Sequence, residues 1–547
     1  MRGATRVTWA VASATAIALA AGACGGGGDD SGSAGSGSGV VRASWGDPQN
    51  PLEPANTNEV QGGKVLDMAF RGLKRYDPET GEAQDAMAES IETDDQQNFT
   101  VKIKEGWKFS DGTEVTASSF VDAWNYGALL TNNQINAYFF QFIEGYDEVH
   151  PAEEDAKPTA ETMSGLEVVD DYTFTVRLTE EFSLWPETLG YNAYAPLPQS
   201  FFDDHDAWLE KPVGNGPYKV DSYTRGQSMK LSVNEEYAGD DEPQNEGVEL
   251  RVYTDNNTAY TDVQAGNLDV VDDVPAAQVQ NAERDLDGRY LNQPAGIIQT
   301  ISFPLYDEDW GGEDRAQVRR GISMAINREE ITDKIFSDTR TPATDFTSPV
   351  LGEAGGYSDD LCGDVCTYDP EQARQMIEDG GGLPGGSVTL SSNVDTGSHR
   401  QWMDAVCNSI NNVLDDNDAC TVNPVSTFAE YRKRITGDQM NGMFRTGWQM
   451  DYPLIQNFLQ PLYFTDASSN DAGYNSSEFD NLVEEANAAQ EQDEAIEKFR
   501  QAEEVLVEDM PAIPLWYQNG SAGYSERVDN VELNPFSVPV YTEITVS

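Results

Sequence analysis

Few side chains in this sequence are of a type that does covalent chemistry. Histidine, the usual proton-transfer residue near neutral pH, occurs three times, at His150, His205 and His399. The chain has no GxSxG nucleophile elbow, no GxxxxGK[ST] phosphate loop and no HExxH zinc helix. Paired carboxylates are expected by chance in a chain with 95 acidic residues. The residue types therefore favour a binding protein over an enzyme.

The five cysteines divide into Cys24 and four in the second half of the chain: Cys362, Cys366, Cys407 and Cys420. An even number of cysteines in an exported chain is typical of two disulfides, for which three connectivities exist. We expect the local one, which pairs Cys362 with Cys366 and Cys407 with Cys420. Because no histidine lies near these cysteines at a ligand spacing, we expect no metal site and no cofactor.

The N-terminus has the pattern of a secretory signal. Two arginines precede an apolar run at 7–23 that is short for a membrane span. Cys24 follows directly, so the boundary resembles a lipobox, in which the cysteine becomes acylated. Residues 25–39, GGGGDDSGSAGSGSG, have the composition of a flexible tether. We expect a signal peptide at 1–23 and a lipidated Cys24 with its tether at 24–39, which would hold the protein on the outer face of the cell membrane. The alternative is an ordinary signal peptide with an incidental cysteine.

The composition limits the class of ligand. The net charge is −61, from 34 basic and 95 acidic residues. Nucleic acid is excluded as a partner because its affinity depends on cationic contacts with phosphates. Long-range steering disfavours an anionic ligand and favours a cationic or zwitterionic one. Solubility in a salty habitat would explain the same charge equally well.

The body of the chain, from Val40 onward, mixes strands and helices and is long enough for two or three lobes. Alternating apolar residues predict strands at 99–103, 174–178, 229–233 and 248–252.

Apolar residues at helical spacing predict three helices in addition. The first follows Thr116, the second carries Ile322, and the third is capped by Asn327 with Glu330 at the capping-box distance. The segment 477–509 has the pattern of one long helix, ended by a Met-Pro pair.

Seven segments, taken in order, resemble the family 5 extracellular solute-binding proteins, which are the oligopeptide-, dipeptide- and nickel-binding components of ABC importers. The most family-like is VKIKEGWKFSDGTEVTASSFVDAW. The segments lie at 69–92, 101–124, 212–220, 318–331, 368–381, 447–463 and 508–518. The segments keep the family's order and extend over 69–518, so the resemblance covers nearly all of the mature chain.

The resemblance implies an α/β protein with the two-lobed periplasmic-binding-protein fold (class II) and an extra inserted domain. By the order of the segments, lobe I comprises 40–65, 200–300 and 525–547, the inserted domain 66–199, and lobe II 301–524. The hinges are expected near residues 300 and 525, and the ligand in the cleft between the lobes.

The resemblance also assigns roles to the segment GWQMDYPLIQNFLQPLY. Asp451 matches the acid that pairs with the α-ammonium group of a peptide. The backbone of Gly447, Trp448 and Gln449 would pair with an extended peptide as an added strand.

Two further residues of this region are expected at the ligand. Arg445 is placed to meet a carboxylate, such as the C-terminus of a short peptide, and Tyr452 is included among the contacts. The alternatives are structural: a helix cap or surface acid for Asp451, core packing for Trp448 and an inter-strand salt bridge for Arg445. The pair Pro453-Leu454 replaces an Asp-Pro pair common in the family, which predicts a different pocket shape.

The sequence therefore predicts a monomeric, non-enzymatic receptor that captures short peptides. It would deliver them to ABC permease subunits and, through these, depend on ATPase subunits. The same receptor role for a nickel chelate, haem, an oligosaccharide or an opine-like compound stays open. An exported hydrolase is the alternative from another class.

Overall fold

The computed structural model describes residues 39–152, 156–394, 399–467 and 469–547. The predicted signal peptide, Cys24 and the tether up to residue 38 lie outside the described residues. Gly39–Ser547 form one compact unit. None of the helices in the described ranges combines the length and the apolarity that crossing a bilayer demands.

The strands of the described residues, in chain order, are β1 (Val40–Trp45), β2 (Lys74–Tyr76), β3 (Ala83–Asp85), β4 (Ala88–Thr93), β5 (Asn98–Ile103), β6 (Leu166–Asp170), β7 (Thr173–Arg177), β8 (Tyr218–Thr224), β9 (Ser228–Val233), β10 (Gly247–Val252), β11 (Val270–Val271), β12 (Tyr290–Ser302), β13 (Arg340–Pro342), β14 (Val388–Asn393), β15 (Cys420–Val425), β16 (Met443–Gln449), β17 (Ala512–Tyr524), β18 (Val528–Asp529) and β19 (Thr545–Val546).

The α-helices of the same ranges are α1 (Val60–Ala69), α2 (Ala117–Ala128), α3 (Tyr146–Val149), α4 (Trp185–Thr188), α5 (Gln199–Asp203), α6 (His205–Glu210), α7 (Asn256–Gln264), α8 (Ala276–Asp285), α9 (Glu313–Met324), α10 (Arg328–Phe336), α11 (Pro370–Asp379), α12 (His399–Leu414), α13 (Phe428–Ile435), α14 (Ile455–Tyr463), α15 (Ser477–Asn487) and α16 (Gln492–Asp509).

A large mixed sheet runs through the molecule in the order β15-β14-β16-β12-β17-β11-β1-β10-β9-β8, and β13 pairs with β17. The two thirteen-residue strands β12 and β17 are antiparallel neighbours at its centre. At one end β17 pairs with β11, and along its other half β12 pairs with β16. These two strands therefore connect the two halves of the sheet, close to the hinge positions expected near 300 and 525.

The pairing of β12 with β17 is interrupted in the middle. The register shifts between Pro294 and Ile298. Proline has no N–H to donate to a ladder, so a proline in a central strand favours such an irregularity. The break lies where the chain passes from one half of the sheet to the other.

A separate four-stranded sheet, β4-β5-β7-β6, lies within the range predicted for the inserted domain. On β5, Phe99, Val101 and Ile103 are buried and alternate with exposed residues, as predicted. Helix α2 begins after Thr116 with a capping box, and its Trp124 ring packs on Phe174 of β7 at 5.6 Å. The strands predicted at 229–233 and 248–252 are β9 and β10.

In the second half of the chain the predicted helix around Ile322 is α9, and α10 follows Asn327, whose side chain accepts a hydrogen bond from the N–H of Glu330. The prediction of one helix over 477–509 is wrong, because Asn487 ends α15 and α16 begins at Gln492. The chain folds back between them. The apolar residues of both helices, such as Phe479 and Phe499, are thereby buried, which one straight helix would not achieve.

The four cysteines of the body are paired locally. The sulfur atoms of Cys362 and Cys366 lie 2.20 Å apart, and those of Cys407 and Cys420 lie 2.12 Å apart. This is the connectivity expected from the sequence. Their oxidation stays a prediction.

Helix α16 buries an acid in the core. Glu503 is fully buried, and its carboxyl group lies beside that of Asp345, which is also fully buried. Asp345 accepts hydrogen bonds from the N–H groups of Thr347 and Ser358. Burial, and next the charge of Asp345, raises the pKa of Glu503 well above its ordinary value. Burial therefore favours the neutral form of Glu503 in the folded protein.

Candidate functional site

The candidate site begins at an unpaired strand edge. β16 pairs with β12 along its length, from Phe444 opposite Ser302 to Gln449 opposite Ile297. On its other side β16 pairs with β14 only at Met443 and Phe444. In the described part of the chain, no strand covers that side of β16 from Arg445 onward.

Tyr431 of α13 marks the point where the ladder ends. Its hydroxyl donates to the carbonyl oxygen of Arg445 on β16 at 2.5 Å and also lies 3.3 Å from the carbonyl oxygen of Ser391 on β14. The phenol thus bridges the two strands where they separate. Past this point the edge of β16 is open.

The direction of the backbone groups on β16 follows from alternation. Met450 donates its N–H to the carbonyl oxygen of Gly296 at 2.8 Å, so Met450 faces the β12 side. In an antiparallel pair every second residue faces the partner strand. Trp448 therefore also faces β12, whereas Gly447 and Gln449 direct their N–H and C=O groups to the open edge. Both of these residues are exposed.

Glycine is required at position 447 by the close approach of β12. A Cβ atom there would lie 2.6 Å from the carbonyl oxygen of Ile298, closer than real Cβ contacts occur. Of the three residues predicted to offer their backbone to a ligand, Gly447 and Gln449 fit that role. Trp448 does not fit it, because its peptide groups face the neighbouring strand.

Asp451 follows directly on this edge and is held by one amide side chain. Its N–H donates to Asn457 Oδ1 at 2.9 Å, and Asn457 Nδ2 donates to Asp451 Oδ2 at 3.2 Å. The indole N–H of Trp448 donates to the same Asn457 oxygen at 2.9 Å. Asn457 on α14 thus positions both residues. This role could not be predicted from the sequence, because an asparagine within a helical pattern has no distinctive spacing.

The carboxylate of Asp451 lacks a counter-charge. Within the described ranges no lysine, arginine or histidine nitrogen lies within 4.0 Å of it. Burial raises the pKa of Asp451 to about 6, and the hydrogen bond from Asn457 opposes this rise. A half-buried carboxylate without a counter-charge is stabilised by a cation that reaches it.

A cluster of aromatic rings lies near Asp451 and includes Tyr452, its neighbour in sequence. The ring of Phe139 lies 4.2 Å from that of Tyr191, 4.4 Å from that of Tyr138 and 6.3 Å from that of Tyr452. Burial, and next the charge of Asp451, raises the pKa of Tyr138 and Tyr191. We call Tyr138, Phe139, Tyr191 and Tyr452 the aromatic wall. Three of its members come from chain segments that are more than 250 residues away from Asp451 in sequence.

Arg445, at the other end of the edge, lines a cavity of about 200 Å³. Its Nε is buried and has no hydrogen-bond partner, and no carboxylate in the described ranges reaches it within 4.0 Å. The neighbouring Arg432 is paired with Asp471. The salt bridge that was the alternative for Arg445 is therefore not formed among these residues. Burial lowers its pKa, but an arginine remains charged.

Pro453 and Leu454 line a second and larger cavity, of about 1170 Å³. Gly81 at the turn between β2 and β3 approaches Pro453 there. The pair Pro453-Leu454, which departs from the common family form, thus lies in the wall of this cavity. Within the described residues no group of three or more histidine, cysteine, aspartate or glutamate side chains is arranged to hold a metal ion.

An open strand edge, with an unpaired acid at one end and an unpaired base at the other among the described residues, is the arrangement of a binding protein. Comparison with known proteins agrees with this class. The model of the bacterial extracellular solute-binding proteins, family 5, middle region, matches residues 82–470. The chain belongs to this family, and it is a solute-binding protein rather than an enzyme.

Curated relatives match over most of the chain. The oligopeptide-binding protein OppA of Bacillus subtilis is 24% identical over 500 residues, which cover 88% of each chain. The dipeptide-binding protein DppE of the same organism is 25% identical and covers 88% of this chain and 87% of its own. Heme-binding protein A of Haemophilus influenzae is also 25% identical, over 87% of this chain and 86% of its own.

Solved structures confirm the fold. The periplasmic murein tripeptide-binding protein MppA in its unliganded open form matches with a TM-score of 0.79, at 20% identity, over 93% of this chain and 97% of that one. OppA of Haemophilus influenzae in complex with the peptide RPPGFSPFR matches with a TM-score of 0.71, at 22% identity, over 93% and 99%. The α/β two-lobed periplasmic-binding-protein fold expected from the sequence is therefore confirmed.

Proposed function

We propose that this protein is the extracytoplasmic receptor of an ABC importer and captures short peptides in the cleft beside β16. The observation that carries the proposal is the open edge of β16, which lies between an unpaired acid and an unpaired base. Backbone groups of Gly447 and Gln449 can add a ligand as a strand, which only an extended peptide-like ligand would use fully. Asp451 would hold the α-ammonium group and Arg445 the α-carboxylate.

The spacing of these charges limits the length of the ligand. Arg445 and Asp451 are six positions apart in sequence, and because β16 ends at Gln449 their Cα atoms are separated by at most roughly 20 Å. A ligand shorter than this span would need the side chains of Arg445 and Asp451 to bridge the remaining distance. A peptide of about three to five residues, which advances roughly 3.3 Å per residue, would satisfy both ends.

Capture would lead to uptake through partners. We infer that Cys24 carries the lipid anchor on the outer face of the cell membrane and that the receptor acts as a monomer. It would release its peptide to the permease subunits, while the associated ATPase subunits supply the energy. The receptor itself would make and break no covalent bond in its ligand.

A calorimetric length series tests the proposal. Alanine peptides of two to six residues, each with free and amidated C-termini, would be titrated into the purified body of the protein. We expect the tightest binding at about three to five residues and a loss of affinity on amidation, because Arg445 then has no carboxylate to bind. Binding of none of these peptides would contradict the peptide ligand, and a haem, sugar or metal-chelate panel would then be the next titration.

A further inference from the structure

Helix α14 holds three residues of the candidate site through its amide side chains. Asn457 contacts both Asp451 and Trp448. The residue before it, Gln456, accepts a hydrogen bond at 2.8 Å from the hydroxyl of Tyr452, which directly follows Asp451 in sequence. Gln456 and Tyr452 are both buried. One helix therefore fixes the acid, the indole and the phenol at this end of the open edge.

A line of hydrogen bonds continues from Gln456 to the next helix. Gln456 Nε2 donates to Gln460 Oε1 at 2.8 Å, one turn further along α14. The same oxygen accepts a second hydrogen bond, from Asn487 Nδ2 at 3.2 Å. Asn487 is buried and is the last residue of α15. We call Gln456, Gln460 and Asn487 the amide relay. Because both donors share one oxygen, Gln460 is the member on which the other two depend.

The amide relay ends where two parts of the chain meet. The main-chain oxygen of Asn487 accepts a hydrogen bond from the N–H of Ser183 at 2.7 Å, a contact that we call the clasp. Ser183 belongs to the range predicted for the inserted domain, and Asn487 to the range predicted for lobe II. Three residues beyond Asn487, the main-chain oxygen of Gln490 accepts a hydrogen bond from Gln96 Nε2 at 3.3 Å. Both contacts join the two ranges at the C-terminal end of α15.

The other end of the amide relay also meets the range of the inserted domain. The ring of Tyr452 lies 6.3 Å from that of Phe139. The two ranges therefore touch at both ends of the relay, beside Asp451 and at the clasp. A peptide bound at Asp451 and a movement that opens the clasp would act on one connected set of side chains.

We propose that Gln460 is a positioning residue that couples the peptide site at Asp451 and Tyr452 to the clasp. The inference rests on the proposed function, because it takes the position of the peptide from Asp451. Buried amides are costly when unpaired, so the relay favours the one arrangement in which every donor is satisfied. A peptide that holds Tyr452 in place thereby holds Asn487 at the clasp and slows the opening of the cleft.

Two substitutions at position 460 separate hydrogen bonding from packing. Gln460→Met keeps the length of the side chain and removes the acceptor, whereas Gln460→Glu keeps an acceptor for both donors. Binding of Ala-Ala-Ala would be measured by calorimetry and by stopped-flow tryptophan fluorescence. For Gln460→Met we expect about fivefold weaker affinity, caused by faster dissociation at an unchanged association rate. Gln460→Glu should restore the affinity to within about twofold of the unmodified protein.

A double-mutant cycle tests the path of the coupling. Tyr452→Phe removes the hydroxyl that donates to Gln456, so Gln460→Met should cost less than about twofold in that background. Asn487→Ala interrupts the relay from α15 and leaves α14 intact, and it should also speed dissociation. It keeps the test available if Gln460→Met does not fold. Gln372→Met, at an exposed glutamine on α11, is the matched control and should bind as the unmodified protein does.

Three results would refute the coupling while the peptide receptor stands. These are unchanged dissociation in both Gln460→Met and Asn487→Ala, an equal loss of affinity in Gln460→Glu and Gln460→Met, and a full loss that persists in the Tyr452→Phe background. If the unmodified protein binds no peptide, the proposed function fails and the coupling with it.

Discussion

Replacing Asp451 with asparagine should remove one identifiable contact, the one to the α-ammonium group of the peptide. The carboxylate is half-buried and has no other cation among the described residues, so a bound ammonium forms a charged hydrogen bond there. Such bonds contribute about 1.5–3 kcal/mol, which is roughly 10- to 100-fold in affinity. Asparagine has nearly the same shape and can still accept the hydrogen bond from Asn457, so the fold should be kept.

A thermodynamic cycle isolates this contact. Affinities of Ala-Ala-Ala and its N-acetylated form would be measured by calorimetry with the unmodified protein and with Asp451→Asn. We expect the free peptide to lose about 10- to 100-fold on substitution, and the acetylated peptide, which has no ammonium group, to lose far less. Equal losses for the two peptides would refute the pairing, since the variant would then act through something other than the ammonium. Two controls apply. The melting temperature of Asp451→Asn should equal that of the unmodified protein, and Glu167→Gln, which removes an exposed acid on β6, should bind both peptides as the unmodified protein does.

Three further predictions follow from the same structure. Peptide affinity should weaken as the pH falls below about 6, because protonated Asp451 cannot pair with the ammonium, and Asp451→Asn should lack this pH dependence; a flat profile in the unmodified protein would contradict the assignment. Since Glu503 is held neutral by burial, its folded-state pKa lies above the ordinary 4.5, and stability should decline as the pH rises from about 4.5 through that folded pKa. Glu503→Gln should remove this decline. In that pH interval its free energy of unfolding, measured with urea, should exceed that of the unmodified protein by up to about 1.4 kcal/mol per pH unit. Identical pH profiles for the two proteins would contradict this prediction. The four cysteines of the body should resist iodoacetamide in unfolded, unreduced protein and become labelled after reduction; labelling before reduction would show free thiols.

Local patterns predicted the elements but not their assembly. The alternation around Val101 and the cap at Thr116 depend on neighbours in sequence, so β5 and the start of α2 could be predicted directly. The prediction of a single helix over 477–509 was wrong because no glycine or proline marks the break between the two helices. The turn between α15 and α16 is favoured instead by the burial that the two helices give each other.

The charged residues of the site were found through a family resemblance, whereas its geometry required the structure. Asp451 and Arg445 stand in a recognisable segment. The open edge of β16 depends on where its pairing with β14 stops. These two strands are about 50 residues apart in sequence, so their pairing is a long-range feature of the fold. The aromatic wall brings Tyr138 and Tyr191 to Asp451 from distant parts of the chain, which no local pattern can indicate.

The most direct test of the central claim is to identify what the protein carries when it is isolated. The freshly purified protein would be denatured, and the small molecules that leave it would be identified by mass spectrometry. We predict that short peptides of about three to five residues with free termini will be found. Recovery of a different solute, such as haem, an oligosaccharide or a metal chelate, would keep the fold and the family but contradict the roles proposed for Asp451 and Arg445.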